Sequence, residues 1–299
     1  MTKIQWTDAT WNPTTGCSRV SEGCRNCYIE RTPPFRMAGR KMGDPVQLHS
    51  DRLDAPLHWK KPRRVFVNSL SDLFHEDVPE TFLRSIFWTM GQAKNHIFQV
   101  LTKRPTRMRR TLNSWKADGT IFRSGWGAIL PNVWLGVSVE DQHTTDERIP
   151  ILLQVPAAVR FVSVEPLLSP VNLTGLTCRG CGTRSRKNLP ADALDCCPEG
   201  TNALDWVIVG GESGPKSRPC DVAWIRSIVR QCQRAVVPCF VKQLGSLPYG
   251  VEGSLDAEEW GAFDSAVAVM DDCGFIHCQD KKGGNPQEWP MDLRVREWP

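Results

Sequence analysis

The sequence has no apolar run of membrane-spanning length and no signal peptide at its N-terminus. These absences speak against an integral membrane protein and a secreted one. The expected location is the cytoplasm of a bacterial or phage-infected host cell. Thiols stay reduced there, so the twelve cysteines are not expected to form a disulfide framework, and metal binding is the better use for them. A large charge of one sign is also missing, because the formal net charge is only +4. The charge is nevertheless uneven. From Val251 onward there are eleven acidic and four basic residues, net −7, so the first 250 residues carry +11. Lys60, Lys61, Arg63 and Arg64 form one basic cluster, and Lys103, Arg104, Arg107, Arg109 and Arg110 form another. Such clusters suit nucleic acid or another phosphorylated partner, with Arg104, Arg107 and Arg110 on phosphates. They equally suit solvated loop and helix faces.

The most informative stretch runs from Cys17 to Tyr28 and holds Cys17, Cys24 and Cys27 within eleven residues. Gly16, Ser18, Ser21 and Gly23 make it a loop able to turn three thiolates toward one point. Three converging thiolates can hold a [4Fe–4S] cluster whose fourth iron is left for another ligand. The same spacing also fits a zinc knuckle, a redox pair at Cys24 and Cys27, or buried thiols. Elsewhere, Cys220, Cys232 and Cys239 lie in apolar surroundings and read as packed thiols. The grouping of Cys273, His277 and Cys278 is too irregular to read as a metal site.

The segment from Ile4 to Pro13 reads as a first strand. After Cys27 a helix begins that Pro33 and Pro34 should interrupt. Apolar runs then recur at 64–68, 96–101, 132–137, 160–164, 205–209 and 238–241. They are continuous rather than alternating, as expected of parallel strands buried on both faces. Helical patterns at about Pro79 to Ala93 and Val222 to Ala235 help to separate them. The expectation is an α/β fold, a full or partial TIM-type (β/α) barrel with a small Cys-rich insertion. The barrel would span 1–250, interrupted by the insertion at 175–203, with an acidic C-terminal extension at 251–299 packing on it. Polar residues follow each apolar run: Asn68, Ser69, Asp72, Lys103, Ser138, Glu140, Glu165, Glu212 and Lys242. They would share the C-terminal mouth of a barrel, where such folds carry their chemistry. Each alone could equally be a helix cap or a loop residue.

The insertion contains Cys178, Cys181, Cys196 and Cys197. Its polar composition cannot build a core, so a metal staple is expected, with the four thiolates around a structural zinc. An exposed loop of free thiols is the alternative.

Taken together, the motifs resemble a known family. They are Trp6-Thr-Asp-Ala-Thr-Trp-Asn-Pro, Cys24-x-x-Cys27-Tyr28, Val67-Asn-Ser-Leu-Ser-Asp-Leu-Phe-His-Glu76, Leu101-Thr-Lys-Arg-Pro105, Leu135-Gly-Val-Ser-Val-Glu140, Ser163-Val-Glu-Pro166, Gly210-Gly-Glu-Ser-Gly214, Val241-Lys-Gln-Leu-Gly245 and Asp292-Leu-Arg-Val-Arg-Glu297. The chain resembles the phage Gp37/Gp68 family, also called DUF5131 or the three-Cys-motif family. That family looks like a branch of the radical S-adenosylmethionine (SAM) superfamily, and its members occur in phages and bacteria. The resemblance implies a [4Fe–4S] cluster on Cys17, Cys24 and Cys27 with SAM on the open iron. It also implies an electron donor as a partner. The superfamily spacing is Cys-x3-Cys-x2-Cys, whereas the first gap here is six residues. The superfamily's Gly-Gly-Glu follows the second strand, whereas Gly210-Gly-Glu212 follows a late one. Asn68, Ser69, Asp72 and Ser138 are therefore the expected SAM contacts, and Glu140, Glu165, Glu212 and Lys242 the candidates for catalysis. The substrate expected from the basic clusters is nucleic acid or a nucleotide. The rival reading is a zinc-binding, nucleic-acid-binding protein without redox chemistry. A thiol–disulfide oxidoreductase using Cys24 and Cys27 would lack the thioredoxin-like order of elements.

Overall fold

The computed structural model describes residues 4–118, 129–174, 204–250, 268–270 and 274–299. The four cysteines of the insertion, Cys178, Cys181, Cys196 and Cys197, fall outside the described residues. The chain divides into two compact units. One comprises Met1–Ser138 and Ile151–Phe161, the other Val139–Pro150 and Val162–Pro299.

In the first unit, β1 (Ala9–Trp11) is shorter than its aromatic surroundings suggest. The two-residue strands β2 (Thr14–Thr15) and β3 (Gln47–Leu48) pair antiparallel. A single 3-10 turn, Tyr28–Arg31, follows Cys27 and ends at the extended Thr32 before the prolines. Pro33 and Pro34 then open a new helix, α1 (Pro33–Met37), because a proline in the first turn gives up no hydrogen bond there. β4 (Arg64–Val67) pairs parallel with β1 and with β5 (Ile97–Thr102). β5 pairs parallel with β6 (Val133–Val139), which is buried along its whole length. Between them, α2 (Glu80–Gln92) buries Leu83, Ile86, Phe87 and Met90. That spacing makes one apolar helix face, and each side chain contributes about 2 kcal/mol of burial before entropy is counted. Pro79 is the extended N-cap residue of α2 rather than part of its first turn. α3 (Pro105–Asp118) begins on a proline, and its Trp115 is fully buried with its ring edge-on to Phe87 at 5.4 Å.

α4 (Gln142–Leu152) starts beside Asp141, whose carboxylate accepts from the Thr144 amide at 2.8 Å. β7 (Val159–Val164) carries the next apolar run. In the second unit, β8 (Trp206–Gly210) pairs parallel with β10 (Cys239–Gln243), and β9 (Cys220–Asp221) with β11 (Pro248–Tyr249). α5 (Val222–Ala235) is capped by Asp221, which accepts from the Ala223 amide at 2.8 Å. β12 (Ala268–Met270) and β13 (Ile276–Cys278) pair antiparallel. The described end of the acidic C-terminal stretch lies along β10. The Val241 amide donates to the Val295 carbonyl at 2.9 Å, and Glu297 to Cys239 at 2.9 Å. Arg226 of α5 pairs with Asp292 at 2.5 Å. Cys220, Cys232 and Cys239 are buried free thiols.

The large sheet runs β1-β4-β5-β6-β7-β8-β10, and each of its pairings with a described register is parallel. Sequential parallel order with intervening helices is the strand order of a partial TIM-type barrel.

Candidate functional site

The chain leaves β1 through Asn12, whose side-chain oxygen accepts from the Leu70 amide at 2.9 Å and the Ser69 hydroxyl at 3.2 Å. Gly16 then bridges in parallel to Ser71, just beyond β4. The cysteine loop therefore starts at the C-terminal ends of the first two strands. Cys24 closes a 3-10 turn, with its amide on the Ser21 carbonyl at 2.9 Å, and the Cys27 amide reaches Cys24 at 3.3 Å. Ile29 and Phe35 pack with Cys17 in a small apolar cluster, and Cys27 and Met42 pack against it. All three cysteines are free thiols. Burial, joined by the negative charge of Asp72, pushes the Cys17 thiol up to about 12 against the opposing pull of Arg104. Burial likewise raises Cys27. The raised thiol at Cys27 is the reverse of what an attacking redox thiol needs, and both shifts follow from burial. A bound metal ion would reverse them by displacing the proton.

The residues that hold this loop come from further along the first unit. Asp72, after β4, accepts at one oxygen from the Thr102 hydroxyl at 2.7 Å and the Phe74 amide at 2.9 Å. Its other oxygen accepts from the Lys103 amide at 3.0 Å and Arg104 at 3.3 Å. Arg104 is only 7% exposed. Its guanidinium also reaches Glu76 at 3.0 Å, the Ser18 hydroxyl at 2.7 Å, the Ser18 carbonyl at 3.3 Å and the Cys17 sulfur at 3.8 Å. Arg104 is therefore not part of a solvated basic face, as the run 103–110 had suggested. Arg107 donates to the Val78 carbonyl, and Arg110 is exposed. His75 lies 2.8 Å from the Ser18 hydroxyl through Nε2, while its Nδ1 accepts from the Asp77 amide at 3.2 Å. Burial, then Arg104, holds its pKa below the ordinary histidine value. Sequence reasoning missed the inward turn of Arg104 and the parts played by Ser18 and His75. The only signal was the membership of His75 in the motif 67–76 and of Arg104 in the motif 101–105, and the place of Ser18 next to Cys17.

Other expected contacts have structural partners. Asn68, in the left-handed region at φ 60°, donates to the Thr14 hydroxyl at 2.8 Å and accepts from the Thr14 amide at 3.4 Å. The Ser69 carbonyl accepts from the Tyr28 hydroxyl. Ser138 is buried within β6.

The four candidate catalytic residues belong to the second unit. Glu140 is buried against Arg148, whose Nη1 lies 3.1 and 3.2 Å from its two oxygens. Glu212 is held by Arg218 at 2.7 and 2.9 Å and by the Arg218 amide at 2.8 Å. Glu165 accepts from Lys242 at 2.9 Å and from the Ser163 hydroxyl at 2.9 Å. A Cβ on Gly210 would stand 2.9 Å from the Glu165 carboxylate, and one on Gly211 would stand 2.2 Å from the Leu244 carbonyl. The Gly-Gly pair is required by this close approach of backbone to β10 and to Glu165.

Among the described residues, no group of three or more His, Cys, Asp or Glu side chains is placed as a ready metal-ion ligand set. The donor chemistry at Cys17, Cys24 and Cys27 still fits an iron–sulfur cluster: three free thiols on one loop, with a buried guanidinium donating toward one sulfur. Among the described residues, no helix is long and apolar enough to cross a membrane. No curated protein and no solved structure matches the chain. A family model described as "Protein of unknown function (DUF5131)" matches residues 1–275, and the chain belongs to that family.

Proposed function

We infer that the protein is a radical SAM enzyme, with nucleic acid or a nucleotide as the first substrate class to test. One observation carries the reading: three free thiols lie on the loop after the first strand of a sequential parallel sheet, with Arg104 donating toward one of them. Cys17, Cys24 and Cys27 would hold the [4Fe–4S] cluster. When bound, the cluster and SAM supply one-electron cleavage of the sulfonium, giving methionine and a 5′-deoxyadenosyl radical that abstracts hydrogen. The chain's own residues bind, orient and exclude water. Burial of Cys17 and Cys24 keeps solvent from two of the ligands. Asn68 and Ser69 fix the strand end beside the loop through their bonds to Thr14 and Asn12. Lys242 and Glu165 are the partly exposed charged pair best suited to meet a substrate. Cys178, Cys181, Cys196 and Cys197 would bind a structural zinc.

The test is anaerobic purification followed by iron and sulfide analysis. The parent should be brown, take up a cluster and cleave SAM to 5′-deoxyadenosine under dithionite. Cys17→Ala, Cys24→Ala and Cys27→Ala should each lose the iron signal. A full cluster in the triple variant would overturn the assignment.

A further inference from the structure

We propose that Arg104 and Ser18 are positioning residues that clamp the Cys17 sulfur and set the reduction potential of the cluster, with Asp72 as the opposing charge. The inference rests on the radical SAM reading above and goes beyond it by naming what tunes the cofactor.

The hydrogen-bond network fixes the direction of each donor. The Asp77 amide donates to Nδ1 of His75, so that nitrogen carries a lone pair and the proton sits on Nε2. Nε2–H therefore points at the Ser18 hydroxyl oxygen, 2.8 Å away. Arg104 Nη2 donates to the same oxygen at 2.7 Å. With both lone pairs of Ser18 Oγ occupied, the hydroxyl ties the Arg104 fork to His75 beside the cysteine loop. Arg104 Nη1 meanwhile points at the Cys17 sulfur from 3.8 Å. Arg104 is thus a donor fixed beside the Cys17 sulfur, held there by Ser18, Asp72 and Glu76.

The charges around the sulfur oppose one another. The Arg104 guanidinium is countered by Asp72 at 3.3 Å, whose side chain is 7% exposed, and by Glu76 at 3.0 Å, which is largely exposed. Solvent screens Glu76 far more than Asp72. Adding an electron to a cluster is easier beside a cation and harder beside an anion. Removing Arg104 takes away the cation and leaves Asp72 uncompensated, so both changes disfavour reduction. Neutralising Asp72 while keeping Arg104 favours it. A residue that merely held the loop in place would not move the potential in opposite directions for these two substitutions.

The experiment is a redox titration of the anaerobically reconstituted full chain, followed by the electron paramagnetic resonance of the reduced cluster. Arg104→Gln should shift the midpoint to a more negative value by at least a tenfold change in the equilibrium, about 59 mV for a one-electron couple. Asp72→Asn should shift it the other way, and Ser18→Ala should give a smaller negative shift. Arg104→Lys, which keeps the charge but loses the planar fork, should fall between parent and Arg104→Gln. If the parent takes up no cluster, the radical SAM reading itself fails. If the parent loads and the variants load with its midpoint, the clamp is wrong. Should Arg104→Gln fail to load, Ser18→Ala and Arg104→Lys decide, and unchanged midpoints in both would overturn the proposal.

Discussion

Glu140 and Arg148 should behave as one unit in unfolding. Their side chains are 1% and 4% exposed, and a single guanidinium nitrogen sits 3.1 and 3.2 Å from the two carboxylate oxygens. Two unit charges about 4 Å apart attract by about 4 kcal/mol at the effective dielectric of a protein site. Removing one partner leaves the other charged and buried, which typically costs about 3–5 kcal/mol. Glu140→Ala and Arg148→Ala are therefore each expected to destabilise by that amount, lowering the midpoint of thermal unfolding by roughly 6–10 °C. The double variant Glu140→Met with Arg148→Met removes both charges and refills the space. It should lie within about 1 kcal/mol of the parent, because a buried pair seldom outperforms a packed apolar one. Urea unfolding followed by tryptophan fluorescence and far-ultraviolet circular dichroism gives each change in stability, and adding the single Met variants closes the cycle for the coupling energy. Single variants within about 1 kcal/mol of the parent, or a double variant that loses the sum of both, would refute the reasoning.

The remaining predictions concern packing, backbone and metal. Gly136→Ala would place a methyl 2.7 Å from ring atoms of the fully buried Phe161, and overpacking of this kind should cost about 1–3 kcal/mol in denaturant titration. Val236 caps α5 in the left-handed region at φ 57° while 89% exposed. Val236→Gly should stabilise by about 1 kcal/mol, since a β-branched residue is strained there and little burial is lost. Metal analysis of protein purified without chelators should find zinc, and replacing Cys178 and Cys181 by Ser should remove it while leaving the iron intact. An absence of zinc in the parent would refute the four-thiolate staple.

The strands were legible because parallel strands are buried on both faces, and each therefore appears as an unbroken apolar run. Boundaries shifted by a residue or two. The run at 132–137 extends to Val139, because Ser138 is buried within β6 despite its hydroxyl. The cysteine loop was legible from spacing alone. Its supports were not, because they join residues far apart in sequence. Asp72 meets Arg104 across thirty-two positions, and Arg104 meets Ser18 across eighty-six. A run of five basic residues gives no hint that Arg104 turns inward while Arg110 stays exposed. The prolines at 33 and 34 marked the end of the turn after Cys27 but not the start of α1, because the same residue that ends one helix can open the next at its first turn.

The charged residues that follow the strands of the second unit differ in what remains for a ligand. Glu140 is held by Arg148 and Glu212 by Arg218, the latter pair with two side-chain bonds and one amide. Both carboxylates are buried and already matched by a guanidinium, so neither offers an uncompensated charge to a ligand. Lys242 is different. Its ammonium carries three donors, its side chain is 27% exposed, and the bond to Glu165 at 2.9 Å uses one of the three. Glu165 is also fixed by Ser163 at 2.9 Å, and Gly210 leaves room for its carboxylate where any Cβ would crowd it. The pair is thus a cation oriented by an anchored anion, with donors left over for an anionic group such as a phosphate. On the proposed function, Lys242→Met should weaken substrate binding while leaving cluster loading and SAM cleavage intact. Glu165→Gln should act through Lys242 and give the milder loss. If instead Lys242→Met cleaves SAM poorly in the absence of any substrate, the assignment of Lys242 to substrate binding is wrong.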